Sequence, residues 1–307
     1  MSSLAQYLDP ELIQKVSRLD LRARFIVEGF LAGLHRSPFH GFSVEFSEHR
    51  KYAKGDDLRT LDWNVFARTN RLYVRKYDAE THLECHLLVD TSASMGYVGT
   101  LGVAGKPSPQ PAQKLLYAVH LAAAIGHLVI RQQDAIGLGI IGAGLTQFLP
   151  ARGRRNHLVH LLSSLVSVVP SGETGLARGI AAALAQIPHR GLIVVLSDLL
   201  TDRDELMNTL HHIRFRGHDL VVMHVLDDAE VRFPFEGSLR LEDPETGQAR
   251  IVDADAVRER YAAALASWRG ELRQRLEAAR ADYVPLDTSL PFDKALVEFL
   301  LQRSRRR

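Results

Sequence analysis

Five short apolar runs, separated by segments of helical periodicity, constrain this chain more than any other feature. Leu83–Val89, Ala135–Ile141, Leu192–Leu196, Leu220–Leu226 and Tyr283–Leu286 are each too short for a core helix. Near-continuous apolar runs of this length read as strands buried on both faces, as in parallel sheets covered by helices on either side. Between them, Ala112–Arg131, Asn156–Val168, Leu176–Ala185, Asp204–Arg216 and Asp255–Ala281 carry helical patterns. Leu145–Leu149 fits a hairpin partner for the strand before it. The pattern predicts an α/β fold with a doubly wound, mostly parallel sheet.

Flanking segments add to this frame. Residues 9–36 read as an amphipathic helix, with Asp9 as N-cap and Pro10 at the first helical position. Short strands are predicted around Ser43–Phe46 and Leu72–Tyr77, while Arg50–Arg71 has no assignable period. Ser238–Val252 reads as a hairpin about Asp243-Pro244-Glu245-Thr246-Gly247, and Pro291 opens a last helix. The expected organisation is an N-terminal helix and polar segment over 1–80, packing on a sheet domain over 81–307. A hairpin insertion lies at about 230–253 of that domain.

Composition narrows the function classes. With 38 basic and 36 acidic residues the net charge is +2, which argues against a dedicated nucleic-acid binder. The basic tail Arg303–Arg307 reads as a solvated terminus. Cys85, the single cysteine, lies within the first core strand, so packing is its expected role. Leu115–Ile130 is shorter than a bilayer span and contains His120 and His127, which predicts a buried helix and no membrane span. Met1–Asp9 lacks a secretory pattern, and the expected location is cytoplasmic.

The chemistry concentrates at strand ends, where open α/β sheets bind ligands. Asp90-Thr91-Ser92-Ala93-Ser94 follows the first run and places one carboxylate and two hydroxyls at i, i+2 and i+4. Thr174 lies in Ser171-Gly172-Glu173-Thr174-Gly175, which opens a helix, and Asp198 follows Leu192–Ser197. The fold would gather these loops at one edge. Hydroxyls of Ser92, Ser94 and Thr174, with Asp90 and Asp198 acting directly or through water, form a hard oxygen shell suited to Mg²⁺ or Mn²⁺. Two carboxylates balance a divalent charge, and an acidic side chain of a partner could complete the shell. The plainer alternative is that Asp90 and Ser92 merely cap the turn.

This set resembles the metal-ion-dependent adhesion site (MIDAS) of von Willebrand factor A domains, in which D-x-S-x-S, a threonine and an aspartate occur in that order. One departure is Leu199, where many such domains have glycine. Glu45-Phe46, Arg50-x-Tyr52, Gly55-Asp56-Asp57-x-Arg59, Asp62-Trp63 and Ala67-Arg68, ahead of the D-x-S-x-S strand, resemble the bacterial family called domain of unknown function fifty-eight (DUF58). Leu226–Val252, with Pro234-Phe235-Glu236-Gly237, resembles it too, and the likeness covers about residues 40–290. It implies a von Willebrand factor A-like (Rossmann-type) domain and partnership with a MoxR-type AAA+ ATPase. Many members of that family carry membrane helices, for which this sequence shows no counterpart.

Other motifs weigh less. Gly137-x-Gly139-x-x-Gly142 has dinucleotide-fingerprint spacing but lies within a strand leading to a hairpin, away from any helix N-terminus. No G-x-x-x-x-G-K-[ST] or G-x-S-x-G occurs. His157 with His160, and the pair His211-His212, lack the partners of a zinc site. The block of Gly55, Asp56 and Asp57 with Arg50, Arg59, Asp62, Trp63 and Arg68 reads as a salt-bridged cap or a docking surface. The expected function is a non-enzymatic, metal-dependent protein-interaction module. The alternative is a metal-dependent phosphohydrolase or nuclease using Asp90 or Asp198.

Overall fold

The strands, numbered in chain order, are β1 Val44–Lys51, β2 Tyr73–Ala79, β3 Glu84–Asp90, β4 Ala135–Ile141 and β5 Leu145–Arg152, followed by β6 Leu192–Ser197, β7 Asp219–Leu226, β8 Ser238–Glu242, β9 Ala249–Asp253 and β10 Asp282–Asp287. The helices are α1 Trp63–Thr69, α2 Lys114–Arg131, α3 Arg155–Val166, α4 Leu176–Ala185, α5 Arg203–Phe215, α6 Asp228–Arg232 and α7 Ala254–Ala278. This computed structural model describes residues 44–52, 61–79, 83–97, 99, 114–291 and 294. The predicted helix over 9–36, the Gly55–Arg59 motif, the body of the helix opened by Pro291 and the Arg303–Arg307 tail lie outside the described residues.

The described residues divide into two compact units, one within 32–82 and one from Leu83 onward. In the smaller unit β1 and β2 pair antiparallel, and Leu61 bridges to Val74. Asp62 Oδ1 accepts the Val65 amide at 3.2 Å, which starts α1. Trp63 and Phe66 meet edge to face along that short helix.

The larger unit is built on a six-stranded sheet of order β10-β7-β6-β3-β4-β5, parallel except for β5. The apolar runs form it for the reason their composition suggests. All six residues of β6 are buried, as are all but the first of β3, β4 and β7. β5 is only half-buried, and as an edge strand it tolerates Pro150, whose missing N–H no ladder bond requires. It therefore runs to Arg152, past the predicted end at Leu149.

On one face, Leu88, Val195 and Val222 stand in register across β3, β6 and β7 and pack beneath α4, α5 and α7. On the other face lies α2, where a Cβ at Gly126 would reach Leu158 of α3 and Ile136 of β4. By length and composition α2 could cross a membrane, but most of its residues are buried inside the fold. α7 stops because Arg280 turns left-handed, φ 55°, and the Ala281 amide reaches back to the Leu276 carbonyl at 2.9 Å.

Candidate metal centre

β3 is where the chain changes direction. It passes to β4 on one side and later returns as β6 on the other, so the crevice beyond β3 and β6 is a topological switch point. Asp90 ends β3, and Ser197 ends β6 beside it. The Ser197 hydroxyl donates to Asp90 Oδ2 at 2.6 Å. Asp90 Oδ1 accepts the Ser92 amide at 3.0 Å, and the Ser92 and Ser94 hydroxyls lie 3.0 Å apart as the chain enters a 3-10 turn at Ala93–Gly96. Asp90 thus closes the chain onto itself at Ser92, while Ser92, the N-cap of the 3-10 turn, makes no side-chain cap bond and lies beside Ser94.

Backbone bonds dock the Thr174 loop on this turn. The Ser171 amide donates to the Thr91 carbonyl and the Ala93 amide to the Gly172 carbonyl, each at 3.1 Å. The Gly175 amide reaches the Gly142 carbonyl at 2.8 Å. A Cβ at Gly175 would come within 2.1 Å of the Ala143 oxygen, so only glycine lets this loop approach the β4–β5 turn. Gly142 takes part through that carbonyl, and a Cβ there would meet only ordinary contacts. Gly137 and Gly139 lie within β4 as expected, where a Cβ would strike the His86 ring and Leu88 respectively.

Asp198 is 1% exposed, and its Oδ2 accepts from Lys114 Nζ at 2.8 Å. Lys114 is fully buried at the head of α2, donates equally to Glu230 Oε1 at 2.8 Å, and lies 5.6 Å from the centre of the Tyr97 ring. Burial opposes its charge, but Asp198 and Glu230 outweigh burial and hold the ammonium above its ordinary range. Burial pushes the Glu230 carboxyl up in spite of Lys114. Asp90 is pushed up to about 6, first by burial and then by the charge of Asp198, against the hydrogen bonds of Ser197 and Ser92. Burial raises the Cys85 thiol, consistent with packing in β3.

The third loop takes a turn that favours glycine. Leu199 has φ 57° and is 2% exposed, with its amide donating to the Ser197 hydroxyl at 2.9 Å. The departure from the glycine pattern is absorbed by burying the leucine side chain.

Asp90, Ser92, Ser94 and Asp198 are thus gathered at one sheet edge, with Thr174 on a loop hydrogen-bonded to the same turn. Lys114, Glu230, Ser197 and Glu245 also belong to this region, and sequence reasoning missed all four. A lone lysine heading an apolar helix was the one available signal, for Lys114. Glu245, in the β8–β9 turn, accepts the Thr174 amide on Oε2 at 3.0 Å. Its Oε1 is buried with no hydrogen-bond partner among the described residues. Nor do three His, Cys, Asp or Glu side chains converge as a metal cluster among those residues, so a cation here would depend on hydroxyl donors. The oxygen-only donor set and the orphaned carboxylate oxygen fit a hard divalent ion.

An uncharacterised protein of Mycobacterium tuberculosis is 32% identical over 303 residues, covering 97% of this chain and 91% of its own. One from Mycobacterium avium is 31% identical over 161 residues, 51% of this chain and 94% of its own. Similar solved structures include the conserved hypothetical protein BatB of Bacteroides thetaiotaomicron, with 14% identity and TM-score 0.45 over 73% of this chain and 100% of that one. The SpRpn10 VWA domain has 14% identity and TM-score 0.43 over 70% of this chain and 94% of its own. The family model described as "Protein of unknown function DUF58" matches residues 48–271, and this chain belongs to that family.

Proposed function

We propose that this chain is a metal-dependent protein-interaction module of the von Willebrand factor A type. Ser92, Ser94 and Thr174 would offer hydroxyl oxygens to Mg²⁺ or Mn²⁺, with Asp90 and Asp198 acting directly or through water. An acidic side chain of a protein partner would complete the shell. Following the DUF58 resemblance, that partner is a MoxR-type AAA+ ATPase or its client, met in the cytoplasm during chaperone-like complex maturation. The bound ion would supply an electrophilic docking point for a carboxylate.

One observation carries the reading: the imbalance of buried charge at the switch point. Among the described residues, Asp198 and Glu230 share the single Lys114 ammonium, and Asp90, near enough to Asp198 to be raised by its charge, has no cation of its own. The excess is two negative charges, before Asp227 at the head of α6 is counted. Buried carboxylates without a compensating cation are costly. A divalent ion cancels that excess, and the adjoining hydroxyls supply neutral donors without adding to it.

Calorimetry on the whole chain tests the reading. Wild type should bind Mg²⁺ or Mn²⁺, and Asp90→Ala should abolish the signal. Partner capture from cell extract should depend on the ion and be lost with chelator. No divalent-ion binding by wild type, together with chelator-insensitive partner capture, would sink it.

A further inference from the structure

We propose that Glu245, at the tip of the β8–β9 hairpin, is a resident acidic ligand of the metal centre, displaced when a partner's carboxylate docks. This rests on the metal-centre reading above and names the side chain that fills the partner's place in the free protein.

The hairpin is built to present one residue. Among the described residues β8 and β9 pair only with each other, and their residues are exposed apart from half-buried Leu239 and Val252. Its turn is fixed locally. Asp243 Oδ1 accepts the Glu245 amide at 2.9 Å, Asp243 Oδ2 accepts the Thr246 hydroxyl at 2.6 Å, and Gly247 adopts φ 71°. Glu245 is half-buried while its neighbours Pro244, Thr246 and Gly247 are exposed.

Its carboxylate crosses to a loop 71 positions away in sequence and binds the amide of Thr174, one of the five predicted ligands. The second oxygen, Oε1, has left water without gaining a donor among the described residues. A glutamate on an exposed hairpin could keep its hydration at no cost, so a carboxylate with one oxygen buried and unpaired calls for a counter-charge. A cation held by the Thr174 loop and the hydroxyl turn supplies one. On this proposal the Glu245 carboxylate, held to the Thr174 loop, takes the position of an acidic partner residue, and the two compete.

Mn²⁺ alone is the probe, titrated calorimetrically into wild type, Glu245→Gln and Asp90→Ala. Hydrogen exchange is followed at the Thr174 amide and across 238–253. Wild type should bind Mn²⁺, and Glu245→Gln should bind it about ten- to a hundredfold more weakly. Mn²⁺ should slow exchange of the hairpin and of Thr174 in wild type and leave Glu245→Gln unchanged. Acetate, standing in for a partner's carboxylate, should bind Mn²⁺-loaded Glu245→Gln more tightly than loaded wild type. Equal Mn²⁺ affinities with an unresponsive hairpin would overturn the proposal while leaving the metal centre standing. Equal acetate affinities would overturn the displacement. Failure of wild type to bind Mn²⁺ would overturn the centre and the proposal together.

Discussion

At the scale of single residues, Lys114 decides more than its anonymity in the sequence suggests. It is buried between Asp198 and Glu230, so removing its charge leaves one buried and one part-buried carboxylate unneutralised. Lys114→Met should cost about 3–5 kcal/mol in urea denaturation, the usual penalty for breaking a buried pair from one side. Adding Glu230→Gln should recover part of that loss, because it removes one of the stranded charges. A double variant no more stable than Lys114→Met would show the triad to be energetically uncoupled. Leu199 makes the opposite case. Its left-handed backbone costs about 1 kcal/mol, and glycine would relieve that strain. The same change deletes a buried leucine side chain, worth about 2–5 kcal/mol. Leu199→Gly should therefore lower stability by about 1–4 kcal/mol, and a more stable variant would show that strain outweighs packing.

At the scale of elements, glycines on α4 and its entry loop set how closely this helix approaches the sheet. Gly179 faces Ile141, whose Cγ2 a Cβ would meet at 2.3 Å, and Gly175 lies against the Ala143 carbonyl. The clash at Gly179 is with a core side chain, whereas that at Gly175 is with backbone held by the β4–β5 turn. Gly175→Ala should thus push the Thr174 loop away from the Asp90 turn. Mn²⁺ affinity should fall at least tenfold, while Gly179→Ala costs stability with a smaller loss of affinity. Equal affinities in calorimetry would separate the loop from the centre.

The same elements show what the sequence made legible. β4 and α4 match their predicted bounds to the residue, because an apolar run and an amphipathic period are local signals. The D-x-S-x-S turn was equally plain, since its donors sit within five residues. α6 was missed because it is five residues long and formed by a capping box, with Asp227 and Glu230 satisfying each other's backbone amides. α1 was missed because polar and aromatic residues blur its period. Glu245 was invisible for another reason: its role depends on a contact across 71 residues, which no local pattern encodes.

At the scale of the whole molecule, buried imidazoles and buried carboxyls respond to acid with opposite signs. Burial drives His224 down to about 3 and His218 down to about 4, each mainly by desolvating the charged form. His224 accordingly sits neutral, its Nδ1 2.6 Å from the Tyr283 hydroxyl and its ring edge-on to Trp268. Unfolded histidines protonate near pH 6.5, above the folded values, so the unfolded chain takes up protons first as pH falls. Their contribution is fully present above about pH 6.5 and is lost progressively towards pH 4 and below. Asp90, raised to about 6, protonates first in the folded state and offsets part of that loss as pH falls below 6. Urea denaturation between pH 7.5 and 5 should therefore show falling stability, with His224 contributing up to about 1.4 kcal/mol per pH unit. His224→Phe, which keeps an aromatic ring against Trp268, should be flatter in the same series. A divalent ion that keeps Asp90 ionised removes the carboxyl offset, so saturating Mg²⁺ should raise stability at pH 7.5 and steepen its decline towards pH 5. A pH profile unchanged by His224→Phe would assign the acid sensitivity elsewhere, and one unchanged by Mg²⁺ would detach Asp90 from the ion.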